Sequence, residues 1–412
     1  MSKPMGAIPA DFAAGGPSLA IGGRAAADLV AEAGDTPLFV YDLGVVRKRI
    51  ARFRAAFPNV QLHYAMKANP YSQLLTAIAK QVDGLDVASG GELRLAVNSC
   101  ADPARISFAG PGKRDAELEA AIAAGVTINC ESEGEAERAL RVAERLARRP
   151  RLAVRVNPDF EIRGSGMRMG GGAKPFGVDA ERVPALIKAI LAGGAEWRGF
   201  HIFAGSQALA ADALIDAQRA TVELAGALAD AIGSEPPLVN LGGGFGIPYF
   251  AGEQPLDVER VGAALAEALA SRAASLAGAA FAIELGRWLV GEAGVYLTRI
   301  VDRKLSHGKL FLIVDGGMHH QLAASGNFGQ VVRRNYPVAI ADRFGEAETE
   351  EASIVGCLCT PLDRLADDVM LPRAEIGDLV AVFQAGAYGL SASPQAFLGQ
   401  QAAREMLVGG GG

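Results

Sequence analysis

Eight short apolar runs, typical of buried strands, alternate with helical patterns along the chain up to about residue 290. The strand candidates are Val60–Ala68, Gly84–Ser89, Ile106–Gly110, Val126–Glu131, Leu152–Pro158, Trp197–Gly205, Leu238–Gly244 and Phe281–Glu284. The helical patterns include Ser72–Lys80, Gly91–Asn98, Gly134–Arg148, Val183–Leu191, Ala213–Ile232 and Val258–Leu276. Strand–helix alternation favours parallel strands, and eight of them close a (β/α)8 barrel. A doubly wound open sheet is the alternative on pattern alone.

A second, mostly β domain follows the barrel. Its strand candidates are Val295–Val301, Leu310–Val314, Tyr336–Ile340, Ala352–Cys359 and Leu379–Gln384. The early run Leu38–Tyr41 precedes the barrel strands and can join this domain, which would then use both ends of the chain. We therefore expect an α/β fold with a barrel over residues 44–288, and a β-sandwich or β-barrel domain from residues 1–43 and 289–408.

Composition narrows the range of partners. The net charge of −6 argues against a nucleic-acid or anionic-membrane binder, because such proteins need a basic face. Four cysteines without CxxC spacing predict neither a disulfide framework nor a zinc site. The sequence also lacks an uncharged apolar run of ~20 residues and a signal-peptide pattern at its start. We expect a cytoplasmic protein that binds no metal, nucleic acid or membrane.

Polar residues fall where the predicted strands end, which is the face of a parallel barrel that carries the chemistry. Lys67 lies at the end of the first strand and Glu284 at the end of the last. The other strand-end residues are Asp86, Arg155, Asn157, His201, Ser206, Gly242–Gly246 and Arg287. This distribution predicts one functional site at the carboxyl ends of the strands.

Lys67 is the sharpest of these candidates. A desolvated lysine amine loses its proton more readily and becomes a nucleophile toward aldehydes. The Asn69-Pro70 pair that follows would start a loop and place the amine at the mouth of the barrel. On residue type alone, a surface lysine with a buried stem is the alternative.

The glycine run Gly242–Gly246 follows the seventh strand and can bring backbone N–H groups close to a phosphate. A dinucleotide fingerprint fits poorly because Ile247 occupies the position of its last glycine. We therefore predict a single-phosphate site, with Ser206 as a further donor, although a plain tight turn is the alternative. Glu284 and Arg287 would contact a protonated ring nitrogen and a phosphate, or else form a surface salt bridge.

Six motifs in order resemble those of the fold-type III pyridoxal-phosphate decarboxylases, the relatives of diaminopimelate, ornithine and arginine decarboxylases. The motifs are Tyr-Ala-Met-Lys-Ala-Asn at 64–69, Leu-Asp-Val-Ala-Ser-Gly-Gly-Glu-Leu at 85–93, the glycine run at 242–246, Glu-Leu-Gly-Arg at 284–287, Leu-Cys at 358–359 and Gly-Ala-Tyr-Gly at 386–389. The resemblance spans residues 36–408. It implies the alanine-racemase-like fold, with pyridoxal 5'-phosphate as the cofactor.

The resemblance also implies a role for each matching residue. Lys67 forms the Schiff base with the cofactor, Glu284 pairs with the ring nitrogen, and Cys359 is the catalytic proton donor. The phosphate is held by Gly244, Ser206, Arg287 and Tyr388. The other implied cofactor contacts are Asp86, Arg155, His201, Phe203, Gly243 and Gly286. Thr360 and Asp363 contact the substrate together with Cys359, and they come from a second subunit, so a homodimer with shared active sites is implied.

Glu284 favours decarboxylation among the reactions of this fold. A carboxylate keeps the ring nitrogen protonated and so strengthens the cofactor as an electron sink. Racemases that resemble this barrel carry an arginine there. A racemase, and a silent relative that only binds a partner protein, stay as alternatives. On residue type alone, Cys359 is more often an inert buried thiol.

Several departures put diaminopimelate in doubt as the substrate. Phe203 stands where the ring-stacking histidine of the family lies, and His201 is the nearby histidine. Thr360 replaces an acidic residue, and the segment 318–322, Met-His-His-Gln-Leu, lacks a carboxylate-binding arginine. The combination of the segments 167–172, 201–207 and 319–330 resembles the subgroup tied to exopolysaccharide and exosortase gene clusters, and decarboxylases of aminoacyl groups on an acyl-carrier protein. The segment 164–172 is predicted to be a loop over the site.

Overall fold

In a computed structural model of the chain, the described residues are 2–13, 16–99, 102–161, 167–168, 170–328, 330 and 332–410. The helices are α1 (Ala26–Ala33), α2 (Leu43–Ala56), α3 (Ser72–Ala79), α4 (Gly90–Asn98), α5 (Asp115–Ala124), α6 (Glu133–Arg145), α7 (Val183–Ala192), α8 (Ala211–Ile232), α9 (Val258–Ala270) and α10 (Arg287–Val290). The strands are β1 (Ala20–Ile21), β2 (Arg24–Ala25), β3 (Leu38–Asp42), β4 (Gln61–Ala65), β5 (Gly84–Val87), β6 (Ile106–Phe108), β7 (Thr127–Cys130), β8 (Arg151–Asn157), β9 (Met167–Arg168), β10 (Val178–Asp179), β11 (Glu196–Ile202), β12 (Gly205–Ser206), β13 (Leu238–Asn240), β14 (Ala280–Leu285), β15 (Gly294–Ser306), β16 (Lys309–Val314), β17 (Val338–Ile340), β18 (Thr349–Val355), β19 (Arg364–Pro372), β20 (Leu379–Val382) and β21 (Arg404–Val408).

The chain divides into two compact units. The barrel unit comprises residues 50–247 and 255–286, and the β unit comprises residues 1–49, 248–254 and 287–412. The domain boundaries expected from the sequence stay a prediction, because compactness alone does not define domains that fold independently. None of the helices in the described part of the chain combines the length and apolar character that crossing a bilayer requires.

The barrel unit contains a closed parallel sheet of eight strands in the order β4-β5-β6-β7-β8-β11-β13-β14, and β14 pairs with β4 to close it. The short β10 adds beside β8. Closure confirms the (β/α)8 prediction and excludes the open sheet. All eight predicted strands are present with shifted ends. The first ends at Ala65, and residues 66–68 form a 3-10 turn that carries Lys67.

The helices around the barrel follow from local sequence signals. Ser132 caps α6 by accepting a hydrogen bond from the Glu135 amide, and the helix buries a face of alanine and valine. The helix α5 was not predicted, because its alanine-rich sequence shows little contrast between two faces. Its buried residues, Leu118, Ala121 and Ile122, still form one stripe, and Gly125 ends the helix in the left-handed region.

The β unit is built on a sheet in the order β17-β20-β15-β16-β18-β19, with β3 pairing with β15 and β21. The early strand therefore lies in this sheet, as the sequence suggested. The strands β19 and β21 were not predicted. Paired aspartates at 367–368 interrupt the apolar pattern of β19, and β21 begins with Arg404 and Glu405.

Candidate active site

Lys67 lies in the 3-10 turn directly after β4, between the buried residues Met66 and Ala68. Its amine lies 5.6 Å from the centre of the Phe203 ring. The Lys67 side chain is exposed, so the barrel does not by itself desolvate this amine, contrary to the expectation from the sequence. The turn thus presents the amine at the carboxyl ends of the strands, against an aromatic face.

Glu284, on β14, forms a buried pair with His201 on β11, with 3.0 Å between His201 Nε2 and Glu284 Oε2. Asn240 Nδ2 donates to the same oxygen at 3.4 Å. Burial would raise the pKa of Glu284, but the His201 charge and hydrogen bond outweigh burial and lower it to about 2. The carboxylate is therefore ionised at neutral pH, as a partner of a protonated ring nitrogen must be.

The two candidates for the ring-stacking position have different surroundings in the barrel unit. His201 contacts Glu284, whereas Phe203 faces the amine of Lys67. A phenyl ring there can pack against a flat cofactor ring but cannot exchange a proton. His201 instead holds the carboxylate of Glu284 in place.

The glycine run after β13 forms a tight backbone turn. Gly242 and Gly244 have positive φ angles of 68° and 92°. A side chain on Gly243 would collide with the carbonyl oxygen of Glu284, so only glycine fits against β14. The backbone N–H groups of Gly243 and Gly244 donate to no other described residue, so both are available to bind a phosphate.

Gly286 is a further glycine fixed by close approach. A Cβ there would lie 2.8 Å from Ala68 Cβ and 2.9 Å from the Ala65 carbonyl oxygen. These distances are too short for an unshifted side chain. The absence of a side chain therefore allows the end of β14, with Glu284, to approach the turn that carries Lys67.

Gln207 fixes the glycine run and was missed as a functional residue from the sequence. Its amide Nε2 donates to the Ile247 carbonyl at 2.7 Å, and its Oε1 accepts from the Ile247 amide at 3.2 Å. Backbone bonds between Ala208 and both Gly244 and Gly246 complete the contact. The glutamine in the run Gly-Ser-Gln could have signalled this role. Ser206 is thereby brought beside the glycine run.

Asp86 and Arg155 lie in hydrogen-bonded networks inside the barrel unit. Asp86 accepts from the Ser107 hydroxyl at 2.5 Å and lies 3.5 Å from His63 Nδ1. Arg155 pairs with Glu131 at 2.8 Å, and Glu131 also accepts backbone N–H bonds from the loops. Both predicted cofactor contacts are thus held by barrel neighbours, which favours a positioning role for each.

The predicted loop at 164–172 is described only in part, since residues 164–166 and 169 lie outside the described residues. Its short strand β9 pairs with β12 in antiparallel fashion, with Met167 opposite Ser206. The described part of this loop therefore lies next to a predicted phosphate donor.

Arg287, in the β unit, lies between two tyrosine rings. Its NH1 donates to the Tyr249 hydroxyl at 2.9 Å, and its guanidinium lies 4.7 Å from the ring centre of Tyr388. Its buried Nε has no hydrogen-bond partner among the described residues. Tyr388 itself has a φ of 53°, an uncommon conformation for an aromatic residue. The two tyrosine rings hold the Arg287 guanidinium in a position from which it can bind an anion.

Cys359, Thr360 and Asp363 lie on the loop between β18 and β19. Cys359 is exposed, which contradicts the alternative of an inert buried thiol. Thr360 is half-buried. Asp363 is buried, and its two oxygens accept from the amides of Met318 at 2.6 Å and Leu358 at 2.8 Å. Because both oxygens are engaged, this placement favours a role in shaping the loop over the predicted substrate contact.

The turn after β16 carries His319, His320 and Gln321, all buried. His320 bonds the Tyr296 hydroxyl at 3.0 Å and the Gln401 carbonyl at 2.8 Å, a core role. By contrast, both ring nitrogens of His319 and both amide atoms of Gln321 have no hydrogen-bond partner among the described residues. Burial lowers the pKa of His319 to about 4, so the turn is neutral at physiological pH.

The chain matches known proteins over most of its length. The family described as "Pyridoxal-dependent decarboxylase, pyridoxal binding domain" matches residues 43–291. The L-glutamyl-[BtrI acyl-carrier protein] decarboxylase of Niallia circulans is 37% identical over 380 residues, covering 90% of this chain and 89% of the relative. The diaminopimelate decarboxylase of Methanothermobacter thermautotrophicus is 32% identical over 389 residues, covering 92% and 87%. A crystal structure of diaminopimelate decarboxylase from M. jannaschii with L-lysine is similar at 27% identity and a TM-score of 0.86, covering 98% of this chain and 92% of that one.

Proposed function

The chain belongs to the pyridoxal-dependent decarboxylase family, and from that premise we propose that it decarboxylates an aminoacyl group carried by an acyl-carrier protein. The relative from Niallia circulans, whose name describes such an activity, supports this substrate class. The observation that carries the proposal is the neutral turn of His319 and Gln321, whose polar atoms have no hydrogen-bond partner among the described residues. Both side chains are fully buried, so the turn would have to open for a substrate to reach them.

The position of the carrier follows from the reaction itself. The α-amino group must join the cofactor, and the α-carboxylate must be free to leave as carbon dioxide. A carrier can then be attached only through the side-chain carboxyl group, as a thioester. The far end of such a substrate carries no ionised group, whereas free glutamate has a carboxylate there and diaminopimelate has both a carboxylate and an ammonium group.

The residues of the β unit suit a neutral far end. A buried polar atom without a partner costs ~1–3 kcal/mol, and a substrate carbonyl can relieve that cost. Neutral His319 and Gln321 can bind a carbonyl but offer no charge to a carboxylate. Thr360 likewise offers no negative charge to a distal amine. Discrimination against charged analogues would therefore arise in this unit.

Pyridoxal phosphate, when bound, withdraws the electron pair that the breaking Cα–carboxylate bond leaves behind. We propose that the Lys67 amine holds it covalently, beside Phe203. Glu284, ionised and fixed by His201, would keep a proton on the ring nitrogen. The N–H groups of Gly243 and Gly244 would bind the phosphate, together with Ser206, Arg287 and Tyr388.

Cys359 is the proposed proton donor to Cα after carbon dioxide has left. Its exposure supports this role, since a thiol that acts on a substrate must be accessible. The family resemblance implies that this cysteine reaches the active site of a second subunit. We therefore also propose a homodimer with shared sites, located in the cytoplasm; sedimentation of the purified protein tests the dimer.

A substrate panel tests the proposed function. The holoenzyme is given a glutamyl group attached through its side-chain carboxyl to an acyl-carrier protein, free glutamate, glutamine and free diaminopimelate. Mass spectrometry then measures the loss of carbon dioxide. We expect kcat/KM to be at least ~100-fold higher for the carrier-bound group than for free glutamate.

Glutamine is the matched control, because its side-chain amide is neutral but lacks the carrier. Turnover of glutamine above that of glutamate would show that the site selects substrates by the charge of the side-chain end. Faster turnover of free diaminopimelate than of the carrier-bound group would contradict the proposal.

A further inference from the structure

A cavity of about 620 Å³ opens at the amino ends of the barrel strands, whereas Lys67 and the glycine run lie at the carboxyl ends. Its walls include the first and third residues of β4, β7 and β13. A barrel of this kind is ordinarily filled by bulky branched side chains. The unfilled space at the amino ends of these strands therefore needs a separate explanation.

The rim of the cavity is basic. Four cations line it, and Asp83 is the single carboxylate among the lining residues. These cations are Arg54, Lys80, Arg105 and Arg198. This excess of three positive charges stands out in a protein whose net charge is −6. Such a concentration of one sign in a concave site attracts small anions.

The rim cations are incompletely neutralised. Arg54 pairs with Asp83, but Arg105 donates to backbone carbonyls and has no carboxylate partner among the described residues. Lys80 likewise forms no ion pair within the described part of the chain and is exposed. Arg198 pairs with Glu196, yet its buried Nε has no hydrogen-bond partner among the described residues. These groups keep donors available for a ligand.

The inner wall of the cavity is polar. Asn129 donates to the Ser107 hydroxyl at 3.0 Å, and Ser107 donates to Asp86. His63 lies against the same carboxylate, 3.5 Å away. Burial opposes protonation of His63, but Asp86 outweighs it and raises the pKa of the imidazole. The inner wall can therefore offer hydrogen-bonding groups to a charged ligand.

We propose that this cavity binds a small anion carrying two or more negative charges, of the phosphate or the polycarboxylate type. Lys80 and Arg198 would contact the anion directly, and the guanidinium would do so through the fork geometry that suits these groups. The site is independent of the substrate proposed above, because it lies in the other half of the barrel.

The cavity shares Asn240 with the candidate active site. Asn240 lines the cavity and also donates to Glu284 Oε2 at 3.4 Å. An anion in the cavity would therefore lie one side chain away from Glu284, the carboxylate proposed to face the cofactor.

Calorimetric titration of the holoenzyme with inorganic phosphate, and separately with citrate, tests the proposal at about 0.15 M ionic strength. In the holoenzyme, the phosphate site proposed at the glycine run would already be occupied by the phosphate of the cofactor. We expect one saturable site per chain for at least one of the two anions, and the two arms decide which chemistry is preferred. Lys80→Gln combined with Arg198→Gln should weaken this binding about tenfold or more.

Lys188→Gln is the matched control, because Lys188 is an exposed helical lysine away from the cavity. It should bind the anion as the wild type does. No saturable binding of either anion, or equal affinity in the double variant, would overturn the proposal. Circular dichroism of the variants shows whether each has folded. Neither result depends on which substrate is decarboxylated.

Discussion

The candidate cofactor residues of the barrel unit and the candidate substrate residues of the β unit differ in their hydrogen-bond partners. In the barrel unit, Glu284 is paired with His201, and Arg155 is paired with Glu131. In the β unit, Cys359 is exposed, while His319 and Gln321 are buried without partners among the described residues. Paired, preorganised groups suit a cofactor that is held in one geometry. Polar groups without a hydrogen-bond partner can form hydrogen bonds to a substrate when it binds.

This difference suggests a division of roles, in which the barrel unit holds the cofactor and His319 and Gln321 of the β unit select the substrate. Substitutions in the barrel unit should reduce the rate with every substrate, since they affect the cofactor. Substitutions of His319 or Gln321 in the β unit should instead change which substrate is accepted, whereas Arg287, Tyr388 and Cys359 of the same unit are proposed to act on every substrate. The following predictions test this division, beginning with the largest expected effect.

Lys67→Ala should abolish decarboxylation, with a loss on the order of 10⁴-fold or more. The reason is that no other amine is proposed to hold the cofactor covalently. Activity and the visible absorption of the bound cofactor are the two measurements. Lys188→Ala is the control and should retain both. Residual activity near the wild-type level in Lys67→Ala would refute the central assignment.

Glu284→Gln should lower kcat by roughly 10²–10³-fold while cofactor binding largely survives. A neutral amide cannot hold the ring proton as the ionised carboxylate does. The same fold-loss is expected for carrier-bound and free substrates, and steady-state kinetics on both checks this. An unchanged kcat would mean that another group keeps the ring nitrogen protonated.

Gln321→Leu should raise KM for the carrier-bound substrate about tenfold and leave kcat nearly unchanged. The substitution removes the neutral polar group proposed to meet the far end of the substrate. Turnover of free glutamate should hardly change. Gln400→Leu, an exposed position in the same unit, is the control. A fall in kcat with every substrate would break the division between the units.

His319→Asn should flatten the pH dependence of folding stability. The pKa of His319 is lowered to about 4, so the unfolded chain binds its proton first as the pH falls. The stabilisation is complete above the unfolded pKa of ~6.5 and is lost as the pH falls toward 4. Urea unfolding across this window should show a slope smaller by about one proton. His307→Asn, at an exposed turn, should leave the slope unchanged.

The sequence predicted the barrel because its buried parallel strands form continuous apolar runs. It also predicted Lys67, Glu284 and the glycine run, because strand ends are visible in such a pattern. The pairing of His201 with Glu284 was not predicted, since it joins residues 83 positions apart on β11 and β14, the two strands that flank β13 in the sheet. The burial of Asp363 and the exposure of Cys359 were likewise hidden, because both depend on how one loop folds back on the turn at Met318.

The clamp between Gln207 and Ile247 consists of an uncharged amide bonded to peptide groups. Neither partner titrates between acid and mild alkali, and neither is weakened by added salt as an ion pair would be. The shape of the glycine run should accordingly stay constant across buffers. If cofactor retention changes with pH, the cause would then be protonation of the phosphate ester or of the covalent bond to Lys67. A change in the shape of the glycine run would not be the cause.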